Sequence, residues 1–173
     1  LAKPADFAGL KIRTFSKGTA DTVKALGGIP AVMSSSEMYM ALQRGTVDGA
    51  TTGMPAAVSR KIFEVQKYMT LANYTTAQFF VQANLEWWDS LKDEEKEVLL
   101  KAGEDAATFI RGSITAAEEK AYNVIKDGGV QIYELNDEER AVFMKATEPV
   151  RDAFVKETGE VGKKLMEIVA SLD

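Results

Sequence analysis

Between Leu10 and Gly53 the apolar residues switch from a period of two to helical spacing and back, and then do so again. No other feature constrains the fold as tightly. Leu10 to Phe15 reads Leu, Lys, Ile, Arg, Thr, Phe, the alternation of a strand that puts Arg13 opposite Ile12. Ser16 or Thr19 can cap the helix that follows, whose apolar side is Ala20, Val23, Ala25 and Leu26 and whose stop is Gly27-Gly28. Ile29 to Met33 reads as a buried strand, with Pro30 allowed only at its start. The second helix is expected from an N-cap at Ser36, with Glu37 in the first turn, through Met38, Ala41 and Leu42 to Gly45. Thr46-Val47 then begin a short strand, which Asp48-Gly49 turn toward Thr51 and Thr52. Strand, helix, strand, helix and strand in this order predict a βαβαβ unit with parallel pairing. In open α/β sheets, ligands lie beyond the carboxyl ends of the strands. The Gly- and Thr-rich loop at 51–53 is therefore either such a ligand edge or an ordinary connection.

Composition narrows what the fold can do. At 173 residues and 46% hydrophobic, the chain is long enough for a real core. A net charge of −5 without a basic run argues against nucleic acid as a partner. Cysteine and histidine are both absent. That removes disulfides, thiolate ligands, cysteine nucleophiles and the usual general base near neutral pH. With no paired acid–base motif in their place, the chain reads as a binder and not an enzyme, with no cofactor or metal. No apolar run approaches the ~20 residues of a membrane span. The opening Leu-Ala-Lys-Pro lacks an initiator Met, which suggests a piece of a longer chain.

The rest of the chain is mostly helical. Met54 to Tyr68 is expected as helix, with Pro55 early, and Tyr68 to Thr76, which contains Tyr74, as extended. Phe79 to Ala83 reads as a strand buried on both faces, and Asn84 caps a helix over Leu85 to Ser90. Trp87 and Trp88 are read as core residues. A single helix from Lys92 to Asp127 follows from apolar residues three and four apart, with Gly103 or Gly112 as sites of bending. Its apolar stripe suits packing within one protein better than a coiled coil. Val130 to Leu135 is a short strand, and Asn136 with Glu139 makes a capping box. Helix continues to Pro149 and from Val150 to Leu172, broken near Thr158-Gly159.

Three segments together carry a resemblance: Gly9-Leu10-Lys11-Ile12-Arg13, Leu26-Gly27-Gly28-Ile29-Pro30, and Ser36 through Gly49, followed by Phe63 to Tyr68. In order and spacing they resemble the signature of solute-binding proteins of TRAP transporters, the tripartite ATP-independent periplasmic uptake systems for organic acids. The resemblance implies an α/β fold, the C-terminal portion of a two-lobed, type II-like periplasmic binding protein, helix-rich with a short, mainly parallel sheet. Residues 1–78 and 119–173 would form the C-terminal lobe, and 79–118 would return by a strand and long helix to the N-terminal lobe and hinge. The other lobe would come from a missing N-terminal half or a swapped dimer partner.

The same resemblance implies capture of a small organic acid in the periplasm and its delivery to membrane permease subunits. As a lone strand residue Arg13 reads first as a solvated cation; the resemblance reverses this, because it matches the family's arginine that pairs with the substrate carboxylate. Thr51, Thr52, Ser35 and Tyr74 complete the implied substrate-binding set. Ser35 stands where the best-known branch has an aromatic residue, and Thr52 where it has an asparagine. Those departures imply a monocarboxylate with an apolar or aromatic body. Two rival readings are the ligand-sensing domain of a cytoplasmic transcription regulator and an enzyme on the same scaffold.

Overall fold

The computed structural model describes residues 1–75 and 78–171. Thr76 and Leu172, the expected ends of two segments, lie outside them. A short 3-10 turn at Pro4–Phe7 leads into β1 (Lys11–Thr14). The helix α1 (Lys17–Ala25) starts at Ser16, whose hydroxyl accepts from the Thr19 N–H at 3.2 Å while Thr19 reaches back in a reciprocal box. It ends where Gly27 takes φ +87°, and Gly28 is required by space, since a Cβ there would sit 2.9 Å from Val23 Cγ1. The strand β2 (Ile29–Val32), helix α2 (Met38–Gln43) and strand β3 (Gly49–Ala50) complete the unit. The sheet order is β2-β1-β3 with both pairings parallel, as the βαβαβ pattern predicts.

Three local expectations are corrected. The strand β2 is an edge, not a buried strand: Ile29 and Val32 are half or more exposed. Pro30 inside it is tolerated because an edge strand leaves one row of donors unpaired. Ser36 does not cap α2. The N-cap is Glu37, whose carboxylate instead accepts from the Ser34 N–H at 3.0 Å. The third strand begins at Gly49, not Thr46, because Asp48 ties the approach to β1: its N–H donates to Lys11 O and its carboxylate accepts from the Lys11 N–H, both at 2.8 Å. Meanwhile Val47 turns into the core.

After β3 come α3 (Met54–Ser59), a 3-10 turn at Ile62–Glu64 and β4 (Tyr68–Leu71). The helix expected to reach Tyr68 is cut short because Lys61 adopts a left-handed φ of +55°. Phe79 to Ala83 is not a strand. No strand lies beside it among the described residues, and Phe79 and Val81 are 94% and 98% exposed. Asn84 does cap α4 (Leu85–Ser90), accepting from the Trp87 N–H at 3.1 Å. Trp87 is half exposed and Trp88 only partly covered, so neither is a core residue here.

The long helix α5 (Asp93–Asp127) is continuous through Gly103 and Gly112. Only its last part is buried, at Ala121 and Ile125, while Val98, Leu100, Phe109, Ile110 and Ile114 lie exposed. The strand β5 (Gln131–Glu134) pairs in parallel with β4. Then come α6 (Asp137–Ala146), α7 (Glu148–Thr158) and α8 (Glu160–Ala170), the last two divided by Gly159 at φ +61°. The core joins α2, α3 and the end of α5 through Met38, Ala41, Leu42, Val47, Ala57, Ile62, Ile125 and Val130.

Candidate functional site

Arg13 is the third residue of β1, the middle strand of its sheet, and its side chain is only 3% exposed. A central parallel strand is covered on both faces, so Ile12, Arg13 and Thr14 are all buried and the half-buried alternation expected for this strand is not met. The guanidinium is held by backbone carbonyls. Nε and Nη2 donate to Met33 O at 3.2 and 3.0 Å, and Nη1 donates to Thr51 O at 3.0 Å. Three of its five donors are thereby used, and one N–H on each Nη remains. Two is the number a carboxylate takes in a bidentate pair. Among the described residues no carboxylate lies within 4.0 Å of this cation.

The loop after β3 locks onto the same strand. The Thr51 N–H and hydroxyl both donate to Arg13 O, at 2.9 and 3.2 Å. Thr52 follows, half-buried, one residue before the Gly53 that opens α3. Tyr74 arrives from the carboxyl side of β4, after Asn73 at a left-handed φ of +48°. Arg140 on α6 steadies that approach by donating to the Ala72 carbonyl. Tyr74 is about half exposed; its phenol is pushed up by burial and pulled back by the Thr51 side chain and the Arg13 charge. Arg13 and Thr51 thus meet at the carboxyl edge of their sheet, with Thr52 next along the same loop and Tyr74 beyond the carboxyl end of β4.

Ser35 joins them indirectly. It lies two residues beyond Met33 and accepts from Arg60 Nη2 at 2.9 Å. Arg60 is the C-cap of α3, and sequence reading missed it. Nothing local marks it, since the turn at Lys61 and the path of α3 bring it to the Ser35 loop. Phe15 was also missed, although its signal was present. It stands two residues after Arg13 on the same face of the strand, and its ring centroid is 5.8 Å from the Arg13 Cζ. The ring is 44% exposed and can offer an apolar wall.

Burial, then the neighbouring Arg60 charge, lowers the proton affinity of the Arg13 guanidinium. Both effects penalise a cation that has no counter-charge, and arginine nonetheless stays protonated. The arrangement can therefore hold a small anion.

Comparison with known proteins bears on the family and the fold. A family model for "Bacterial extracellular solute-binding protein, family 7" matches residues 1–158. The C4-dicarboxylate-binding periplasmic protein DctP of Rhodobacter capsulatus is 35% identical over 161 residues, 92% of this chain and 48% of that protein. The 2,3-diketo-L-gulonate-binding periplasmic protein YiaO of Escherichia coli K12 is 31% identical over 168 residues, 96% of this chain and 50% of its own length. Among solved structures, a TRAP periplasmic solute binding protein from Shewanella oneidensis with bound succinate superposes with a TM-score of 0.89 at 26% identity, covering 94% of this chain and 54% of that one. One from Desulfovibrio salexigens with bound orotic acid gives 0.88 at 25% identity, covering 99% and 56%. This chain spans about half the length of the relatives it matches. The fold is accordingly that of the TRAP periplasmic binding proteins, and the chain belongs to the bacterial extracellular solute-binding protein family 7.

Proposed function

We propose that this chain forms the C-terminal lobe of an extracytoplasmic solute-binding protein that captures a small organic acid and presents it to the membrane permease of a TRAP transporter. The observation that carries the reading is Arg13, a buried cation satisfied by neutral carbonyls, with two donors left and no carboxylate partner among the described residues. A charge removed from water is costly unless it is paired, so the site is built for an anion that comes from outside. Thr51, Thr52, Tyr74 and Ser35 are the neighbours proposed to contact that ligand, and the relatives are binding proteins, not enzymes. The periplasmic location in the relatives' names supports the same location for this chain.

In this reading residues 1–78 and 119–173 make up the lobe, and 79–118 reaches the other lobe and the hinge. Binding would close the two lobes, the ligand favouring the closed state through contacts with both. The regulator and enzyme readings gain no supporting feature.

Calorimetry on the intact binding protein tests the assignment. Arg13→Lys keeps the charge and loses the planar fork. It should weaken binding of the cognate acid by about 1.5–3 kcal/mol, the range for hydrogen bonds to charged groups. An unchanged affinity would remove Arg13 from the site.

A further inference from the structure

Ile12, Arg13 and Thr14 are buried, and the next residue is not: Phe15, one position past the end of β1, keeps 44% of its surface exposed. Its ring centroid lies 5.8 Å from the Arg13 Cζ, with the guanidinium over the ring. That contact uses a face of the ring and leaves both free Nη donors of Arg13 in place. The backbone beneath the ring is fixed. The Phe15 N–H donates to Thr19 Oγ1 at 3.3 Å and the Ser16 N–H to the same oxygen at 3.1 Å, and Thr19 is itself buried. A wall held in this way loses little further freedom when a ligand arrives. Among the described residues the ring pairs with no other aromatic ring.

Ligands of open α/β sheets approach from beyond the carboxyl ends of the strands, the end at which Phe15 stands. A carboxylate taken by Arg13 brings its first carbons within reach of the ring, because only 5.8 Å separates the ring centroid from the centre of the cation. The face of an aromatic ring carries partial negative charge, so it disfavours a second anionic group and stacks with planar, unsaturated carbon. We infer that Phe15 is a specificity-determining residue of this site: its ring takes the carbon next to the bound carboxylate and selects apolar acids in which that carbon is planar over saturated acids of the same size. The inference rests on Arg13 being the carboxylate residue. It names the side chain behind the monocarboxylate with an apolar or aromatic body that Ser35 and Thr52 imply.

Calorimetry on the intact binding protein tests it with acids matched in size, crotonate against butyrate and benzoate against cyclohexanecarboxylate. The unaltered protein should bind the planar member about fivefold more tightly in at least one pair, the size of a stacking contact beyond area burial. Phe15→Leu keeps an apolar side chain and removes the aromatic face, so it should cut that ratio below about twofold, while Phe15→Tyr keeps it. Arg13→Lys should weaken both members alike. Where Phe15→Leu lowers stability, the ratio taken on one sample still reads the selectivity. The inference is overturned if neither pair shows a planar preference, or if Phe15→Leu leaves the ratio unchanged. A loss of affinity equal for both members would likewise overturn it, since the ring would then pack on protein and not on ligand. Failure of the underlying reading has a different signature: Arg13→Lys leaves both members unchanged, or no organic acid binds at all, and the inference falls with it.

Discussion

At Arg13, burial and charge pull in opposite directions. Carbonyls from Met33 and Thr51 satisfy its hydrogen bonds without cancelling its charge, and the proposed ligand site rests on that imbalance. The next residue makes an instructive contrast. Thr14 is fully buried, and its hydroxyl oxygen has no hydrogen-bond partner among the described residues. Thr14→Val keeps the shape and removes an unsatisfied group, so urea unfolding should find it within about 1 kcal/mol of the parent, or more stable. A loss above about 2 kcal/mol would mean that the hydroxyl is bonded in solution. Arg13 was legible through the family resemblance, and Phe15 was missed although strand periodicity puts positions two apart on one face. Arg60 was not legible, since its place depends on a left-handed Lys61 and on where α3 lies, neither of which has a local pattern.

At the scale of elements, caps and glycines read well, while strand edges and segments without neighbours did not. The Asn136–Glu139 box is present as expected, with Glu139 N–H donating to Asn136 Oδ1 at 2.9 Å and Asn136 N–H to the Glu139 carboxylate at 3.0 Å. Asn136→Ala should cost about 1 kcal/mol in chemical unfolding, and no measurable loss would count against the cap. Glu139 is held below the usual carboxylate range by the Tyr133 hydroxyl first and the Asn136 N–H second, and Glu37 likewise by Ser34. A depressed folded value means the stabilisation is fully present above the ordinary carboxylate pKa, about 4.3, and fades as pH falls through the folded one. Replacing both with glutamine should therefore flatten the acid limb of a stability–pH curve below about pH 4.5. An unchanged acid limb would assign that limb to other carboxylates. The apolar run Phe79–Ala83 misled because a buried strand is a property of neighbours, and none is paired with it among the described residues.

For the whole molecule, the decisive feature is what α5 leaves uncovered. From Val98 to Ile114 its apolar residues face outward, and Phe79, Phe80 and Val81 add to the surface. Monomers rarely expose contiguous apolar area beyond a few hundred Å2, so this face calls for a covering lobe. The chain studied alone at micromolar concentration should self-associate in light scattering, with fast amide exchange over 79–83 and the first half of α5. A rigid monomer with strong protection there would contradict the proposed division into lobes. The parallel βαβαβ unit was legible from the sequence because each crossover leaves a local signature. The second sheet pairs β4 with β5 across the length of α5, and no local pattern encodes that partnership.

The central claim is that Arg13 receives a carboxylate, and a crystal structure of the intact binding protein with its cognate acid tests it most directly. The expected result is a ligand carboxylate on the two free Nη donors of Arg13 at about 2.7–2.9 Å, with the Met33 and Thr51 carbonyl bonds kept. A ligand bound elsewhere, leaving Arg13 on its carbonyls alone, would contradict it.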